Sequence, residues 1–171
     1  MCVLKFDHHC FFIGTCVGVR NQRYFVVLSF WGVMATAYCI MNAVLYLYYV
    51  HLIDHSLVDV LLPVTIWRWY HTELRAFDCV LVILLYCIIW FFVTAVGFLV
   101  EQLYNISIGL TSFEIDNQLK LRSLLTNRGN FRAVFGDWWL LNFLLPTHVF
   151  FPEEDDGIFW QTKYIISTNV S

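Results

Sequence analysis

The sequence predicts an all-α integral membrane protein with two transmembrane helices, and three observations carry that prediction. Its composition is 60% hydrophobic, 19% aromatic and only 13% charged, too few charges to clothe a soluble domain. The apolar residues are also concentrated: Tyr24 to Ile53 contains no Asp, Glu, Lys or Arg, and Cys79 to Val100 is free of charge over 22 residues. Each run exceeds the roughly 20 residues a helix needs to cross the hydrocarbon. Neither contains proline, and an unbroken helix satisfies its own backbone hydrogen bonds in lipid. Finally, the stretch ahead of the first run is Cys- and His-bearing, with none of the basic start, short apolar core and cleavage site of a secretory leader.

The elements follow in order. Residues 1–23 form a polar Cys/His piece, 24–50 the first transmembrane helix, and 51–78 a connecting loop. That loop is not simply hydrophilic: LVDVLLPVTIWRWY sets Trp67, Trp69 and Tyr70 beside Arg68, a mixture that suits the headgroup region. The second helix occupies 79–100, a juxtamembrane region 101–147, and an acidic C-terminal tail 148–171 holding Glu153, Glu154, Asp155 and Asp156. Lys5, Arg20 and Arg23 precede the first span, and Lys120, Arg122, Arg128 and Arg132 follow the second, against only Arg68 and Arg75 between them. The positive-inside rule thus puts both termini in the cytosol and residues 51–78 on the luminal or extracellular side. The expected residence is the endomembrane system (ER or Golgi) or the plasma membrane. The net charge of -3 adds nothing about partners. Six cysteines do not make a disulfide framework here, since Cys39, Cys79 and Cys87 lie in or at the spans and the others on the reducing side.

The chemistry is concentrated in FDHHCFFIGTC, Phe6 to Cys16. Cys2, His8, His9, Cys10 and Cys16 are all zinc-ligand types, and a structural zinc needs four thiolate or imidazole donors. One reading closes a single site from Cys2, one histidine, Cys10 and Cys16. The other makes Cys10 a nucleophile, with His8 as its base and Asp7 orienting the imidazole. Residues so close in sequence are expected to reach that geometry only on an irregular or metal-pinned backbone, and a zinc held by His9 and Cys16 supplies such a pin. His51, His55, His71, Glu101 and Glu114 are read as loop, boundary or capping residues, and Trp138 and Trp139 as marks of an interfacial segment.

The order of residues adds what their types do not. Cys2, Asp7-His8-His9-Cys10, Cys16-Val17-Gly18, Asn21 and Phe25 resemble the second half of the cysteine-rich domain of the DHHC protein S-acyltransferases, the palmitoyltransferases. After the second span, Thr111-Ser112-Phe113-Glu114 is similar to the family's Thr-Thr-x-Glu motif, and Asn130-Phe131-Arg132-Ala133-Val134-Phe135-Gly136 to its C-terminal Asn-containing motif. The resemblance implies that Cys10 takes an acyl chain from palmitoyl-CoA as a thioester and passes it to a cysteine of a substrate protein. It makes His8 the general base and Asp7 its orienter. It further implies that His9 and Cys16 bind one structural zinc and Cys2 another, that Thr111 packs near the site, and that Asn130 anchors the C-terminal segment. The implied partners are acyl-CoA, substrate proteins with membrane-proximal cysteines, and membrane lipid, with no nucleic acid.

The resemblance also has departures. The family normally has four spans and an intact cysteine-rich domain, whereas this chain is expected to begin inside that domain, N-terminally truncated, so the Cys/His zinc-type domain is partial and its zinc sites incomplete. The family's Pro-Trp after the nucleophile is here Phe11 and Phe12, and its Asn is Thr15. Losing proline frees a backbone angle, while the Phe pair can contact an acyl chain. Two rivals stand beside the enzyme: a non-catalytic membrane adaptor or regulatory fragment of such an enzyme, and a membrane-tethered zinc-binding module with Cys10 as ligand.

Overall fold

The computed structural model describes residues 3–51, 57–71, 74–136, 140–141 and 163–165. In order they form β1 (His8–Cys10), β2 (Thr15–Val17), α1 (Gln22–Tyr46) with a π-helical turn Leu47–His51, a 3-10 turn Leu57–Val60, α2 (Leu62–Tyr70), α3 (Ala76–Ile108), α4 (Ser112–Asp116), β3 (Leu121–Ser123), α5 (Asn127–Phe135) and β4 (Lys163–Ile165). Two helices are long and apolar enough to cross a membrane, Gln22–Tyr49 and Ala76–Ile108, and the remainder is short. The chain divides into two compact units, one of residues 1–29 with 98–171 and one of residues 30–97.

In the first unit β1 and β2 are an antiparallel hairpin, with His8 opposite Val17, His9 opposite Cys16 and Cys10 opposite Thr15. Gly14, at φ 64° in the turn, takes the left-handed conformation a side chain would oppose. Of the two alternatives expected here, an irregular or a metal-pinned backbone, the regular hairpin removes the first; strands of three residues are too short to show an alternating hydrophobic pattern. Asn21 then joins hairpin to helix: its amide nitrogen donates to the Cys16 carbonyl at 2.9 Å while its Oδ1 accepts from Gly18 N at 2.8 Å. Gly18 is required by space, since a Cβ there would lie 2.5 Å from Val3 Cγ1.

The first turns of α1 pack on both sides. Phe25 joins Cys10 and Val17, flanked by Ile13 and Phe98; Val26 joins Ile106 and Phe135, flanked by Leu99, Leu103, Phe131 and Val134. Charge-free sequence suggested a helix ending near Val100, but α3 runs on to Ile108, because absence of charge marks the hydrocarbon and not the helix end. At 33 residues the helix is about 50 Å long, well beyond the ~30 Å hydrocarbon core. It ends in a Schellman motif: Gly109, at φ 69°, donates to the Ile106 carbonyl and Leu110 to the Asn105 carbonyl. Thr111 then caps α4 in a capping box, accepting from Glu114 N while the Glu114 carboxylate accepts from Thr111 N.

The second unit holds the rest of both long helices and the segment between them. Trp31, Tyr38, Met41, Trp90, Phe91 and Val93 are exposed, an apolar surface suited to lipid and not to water. Asp59 is buried and faces Arg68 Nη1 at 2.5 Å, with Thr65 donating to the Asp59 carbonyl. The aromatic residues Trp67, Trp69 and Tyr70 of α2 stay exposed.

Candidate functional site

The candidate site is built around Asp7, which is 1% exposed. Its backbone is pinned on both sides: the N–H donates to the Val17 carbonyl at 2.9 Å and its carbonyl accepts from Phe113 N at 3.1 Å. Three donors converge on the carboxylate. Ser112 N reaches Oδ1 at 2.6 Å, and both His8 Nδ1, at 2.7 Å, and Gln102 Nε2, at 2.6 Å, reach Oδ2. Such convergence compensates a charge that would be costly to bury alone. The sources are far apart in sequence, since α3 supplies Gln102 and the first residue of α4 supplies the Ser112 amide.

An ionised carboxylate only accepts hydrogen bonds, so His8 Nδ1 carries the proton and Nε2 is left as the acceptor. That Nε2 is buried and has no hydrogen-bond partner among the described residues. A buried, unsatisfied ring nitrogen has a desolvation cost, and here it belongs to the imidazole whose other nitrogen is fixed by a carboxylate. His8 and Cys10 are two apart on β1 and so share one face of the hairpin. Cys10 is a free, buried thiol walled by Ile13, Phe25 and Phe98, and the Phe25 ring meets the His8 ring edge-on at 5.2 Å.

His9 takes the opposite face. With its register partner Cys16 it forms a contact of 3.4 Å between Nδ1 and Sγ. That separation fits two adjacent corners of a tetrahedral zinc, given bonds of about 2.0–2.1 Å to nitrogen and about 2.3 Å to sulfur. Cys2 lies outside the described residues, and among the described residues no third His, Cys, Asp or Glu joins the pair. Strand alternation therefore separates Cys10 from His9 and Cys16, so the single site holding Cys10 as a ligand is not formed among the described residues. Phe11 and Phe12, at the hairpin tip, are 91% and 61% exposed, and Phe12 meets Phe98 with ring centres 5.5 Å apart.

A model of the DHHC palmitoyltransferases matches residues 1–119 of the chain. The chain belongs to this family. Among its relatives, palmitoyltransferase ZDHHC22 of Mus musculus is 34% identical over 148 residues, which is 84% of this chain and 55% of the relative. The ZDHHC22 of Danio rerio is 32% identical over 147 residues, 84% of this chain and 53% of the relative. Protein S-acyltransferase 8 of Arabidopsis thaliana is 32% identical over 144 residues, 78% of this chain and 31% of the relative. The chain thus spans about half the length of the ZDHHC22 relatives it matches. DHHC palmitoyltransferases are membrane proteins, in keeping with the two long apolar helices.

Within this DHHC chain the Thr-Ser-x-Glu motif touches the cluster through its second residue: Thr111 caps the helix that presents the Ser112 amide to Asp7. Ser112 Oγ accepts from Asn105 Nδ2 at 2.8 Å and donates to Glu101 at 3.2 Å. Asn130 lies further off, its Nδ2 donating to the Ser107 carbonyl at 2.9 Å and its Oδ1 accepting from Ser123 Oγ at 2.8 Å. Gln102 escaped the sequence reading. Its one signal was an uncharged amide just past the end of an apolar run, after Glu101, and only the fold shows that it is 1% exposed and aimed at Asp7. Trp138, Trp139 and the acidic run fall outside the described residues.

Proposed function

We propose that the chain is a protein S-acyltransferase of the palmitoyl-transferring kind, working through Cys10. One observation carries this reading: the Asp7–His8 pair, held by Ser112 N and Gln102, leaves His8 Nε2 without a partner among the described residues, on the hairpin face it shares with Cys10. His8 Nε2 takes the proton of the Cys10 thiol, and the resulting thiolate attacks the thioester carbonyl of acyl-CoA. The Cys10–acyl bond forms as the CoA–acyl bond breaks, and the departing CoA sulfur recovers the proton from the imidazolium. In the second half His8 takes the proton of a substrate cysteine, whose sulfur displaces Cys10, and returns it to the Cys10 sulfur. Asp7 holds the tautomer and faces the imidazolium in both halves, the logic of an activated nucleophile.

The apolar wall of Ile13, Phe25 and Phe98 around Cys10 suits an acyl chain, and the exposed Phe11 and Phe12 suit contact with lipid or that chain. His9 and Cys16 would hold a structural zinc as two of its ligands. Bound there, it would pin the outer hairpin face and supply no reacting group. Both termini face the cytosol, in the endomembrane system or plasma membrane, and the substrate proteins carry cysteines near the bilayer.

The test is acyl-enzyme formation. Detergent-solubilised chain is incubated with a palmitoyl-CoA analogue and followed for a hydroxylamine-sensitive label, beside Cys10→Ser. Label in wild type and none in Cys10→Ser is the expected result. An unlabelled wild type, beside a full-length relative that labels, would reject the enzyme in favour of a membrane adaptor.

A further inference from the structure

We infer that Gln102 is a positioning residue for His8, acting through Asp7; the inference rests on the acyl-transfer reading above. The carboxylate of Asp7 could swing about its own side-chain torsion if it were held at one oxygen. It is held at both, Oδ1 by Ser112 N at 2.6 Å and Oδ2 by Gln102 Nε2 at 2.6 Å, and two such points define the plane in which Oδ2 meets His8. Oδ2 accepts His8 Nδ1 at 2.7 Å, so Gln102 fixes the very atom that aims the imidazole.

The chemistry also sets which way the Gln102 amide faces. The carboxylate accepts only, so the NH2 group points at Asp7 and Oε1 points away. That Oε1 accepts from Gln22 Nε2 at 3.1 Å, which completes a directional chain from Gln22 through Gln102 to Asp7. The Gln102 side chain is 1% exposed, and water cannot readily replace its amide. Hydrogen bonds on an ionised carboxylate are stronger than those between neutral groups, enough to hold one orientation over its neighbours. Gln102 touches no reacting atom in this scheme.

The experiment uses the whole chain in detergent with two readouts: the rate of Cys10 acylation by a palmitoyl-CoA analogue, and the rate of Cys10 alkylation by iodoacetamide, followed on the Cys10 peptide by mass spectrometry. Gln102→Leu is expected to slow both by about 10-fold, with the acyl-CoA KM unchanged, as for a group acting on the reacting step and not on donor binding. In an Asp7→Asn background the same change is expected to cost no more than about 2-fold, because residues acting through one another are not additive. Gln22→Leu, at a half-buried position, is expected to reproduce the pattern at about 3-fold, and it serves if Gln102→Leu does not fold. Wild-type rates in both variants, a full additive loss in the Asp7→Asn background, or alkylation indifferent to His8→Ala would overturn the inference. If wild type forms no thioester but the alkylation rates show the non-additive pattern, the positioning role stands and the acyl-transfer reading falls.

Discussion

Asp7 and Asp59 are each 1% exposed, one in each unit of the chain, and they face opposite kinds of partner. Asp59 meets a guanidinium, Arg68 Nη1, at 2.5 Å. Arginine keeps its charge at any ordinary pH, so that pair does not exchange a proton and acts as a clasp between the turn at residues 57–60 and α2. Asp7 meets two neutral N–H donors and an imidazole, which carries a second ring nitrogen. Burial of a carboxylate is therefore not itself the mark of a reactive site. What marks Asp7 is a partner whose second ring nitrogen has no hydrogen-bond partner among the described residues.

Substitutions can break this contrast, and the largest effect belongs to Asp7. Asp7→Asn removes the acceptor that sets the His8 tautomer and is expected to slow Cys10 acylation by about 10^3-fold, the scale of lost acid–base assistance, with the chain still folded by circular dichroism. Ser112→Pro is sharper. Position 112 opens α4 and Thr111 is extended at φ -92°, ψ 158°, so proline fits the backbone there but deletes the N–H that Asp7 Oδ1 accepts. Acylation is expected to fall by about 100-fold, with a lower thermal midpoint as well, since proline also removes the hydroxyl bridging Asn105 and Glu101.

Asp59→Asn should give the reverse pattern. Loss of the pair leaves a partly exposed arginine and is expected to lower stability by about 2 kcal/mol, read as a lower midpoint in detergent, while the acylation rate holds. Equal loss of rate and stability in both aspartate variants would erase the distinction. The smallest effect is expected from Ser112→Ala, which keeps the amide and loses only the hydroxyl bridging Asn105 and Glu101: about 1 kcal/mol of stability and an acylation rate within about 3-fold of wild type.

Particular residues show how far the sequence could be read. The two long helices were legible because lipid imposes a gross requirement, freedom from charge over a helix-length run, that composition reports directly. The family was legible because its motifs survive as strings. The end of α3 was not, since it is set by the Schellman turn at Gly109 and not by polarity. Nor was the hairpin, whose three-residue strands carry no period; yet its alternation assigns His8 and Cys10 to one face and His9 and Cys16 to the other. Gln102 was invisible for a third reason: its partner Asp7 is 95 residues away along the chain, and a long-range contact leaves no local pattern.

That separation has a consequence for biogenesis. The ribosome makes Asp7, His8 and Cys10 early, but two of the three donors that fix Asp7 lie at and beyond the far end of the second span. Until that helix has been synthesised and seated, the imidazole has a carboxylate free to turn, and the thiol lacks Phe98 from its wall. On the acyl-transfer reading proposed above, the surroundings of Cys10 are therefore complete only once the second long helix has been made and seated.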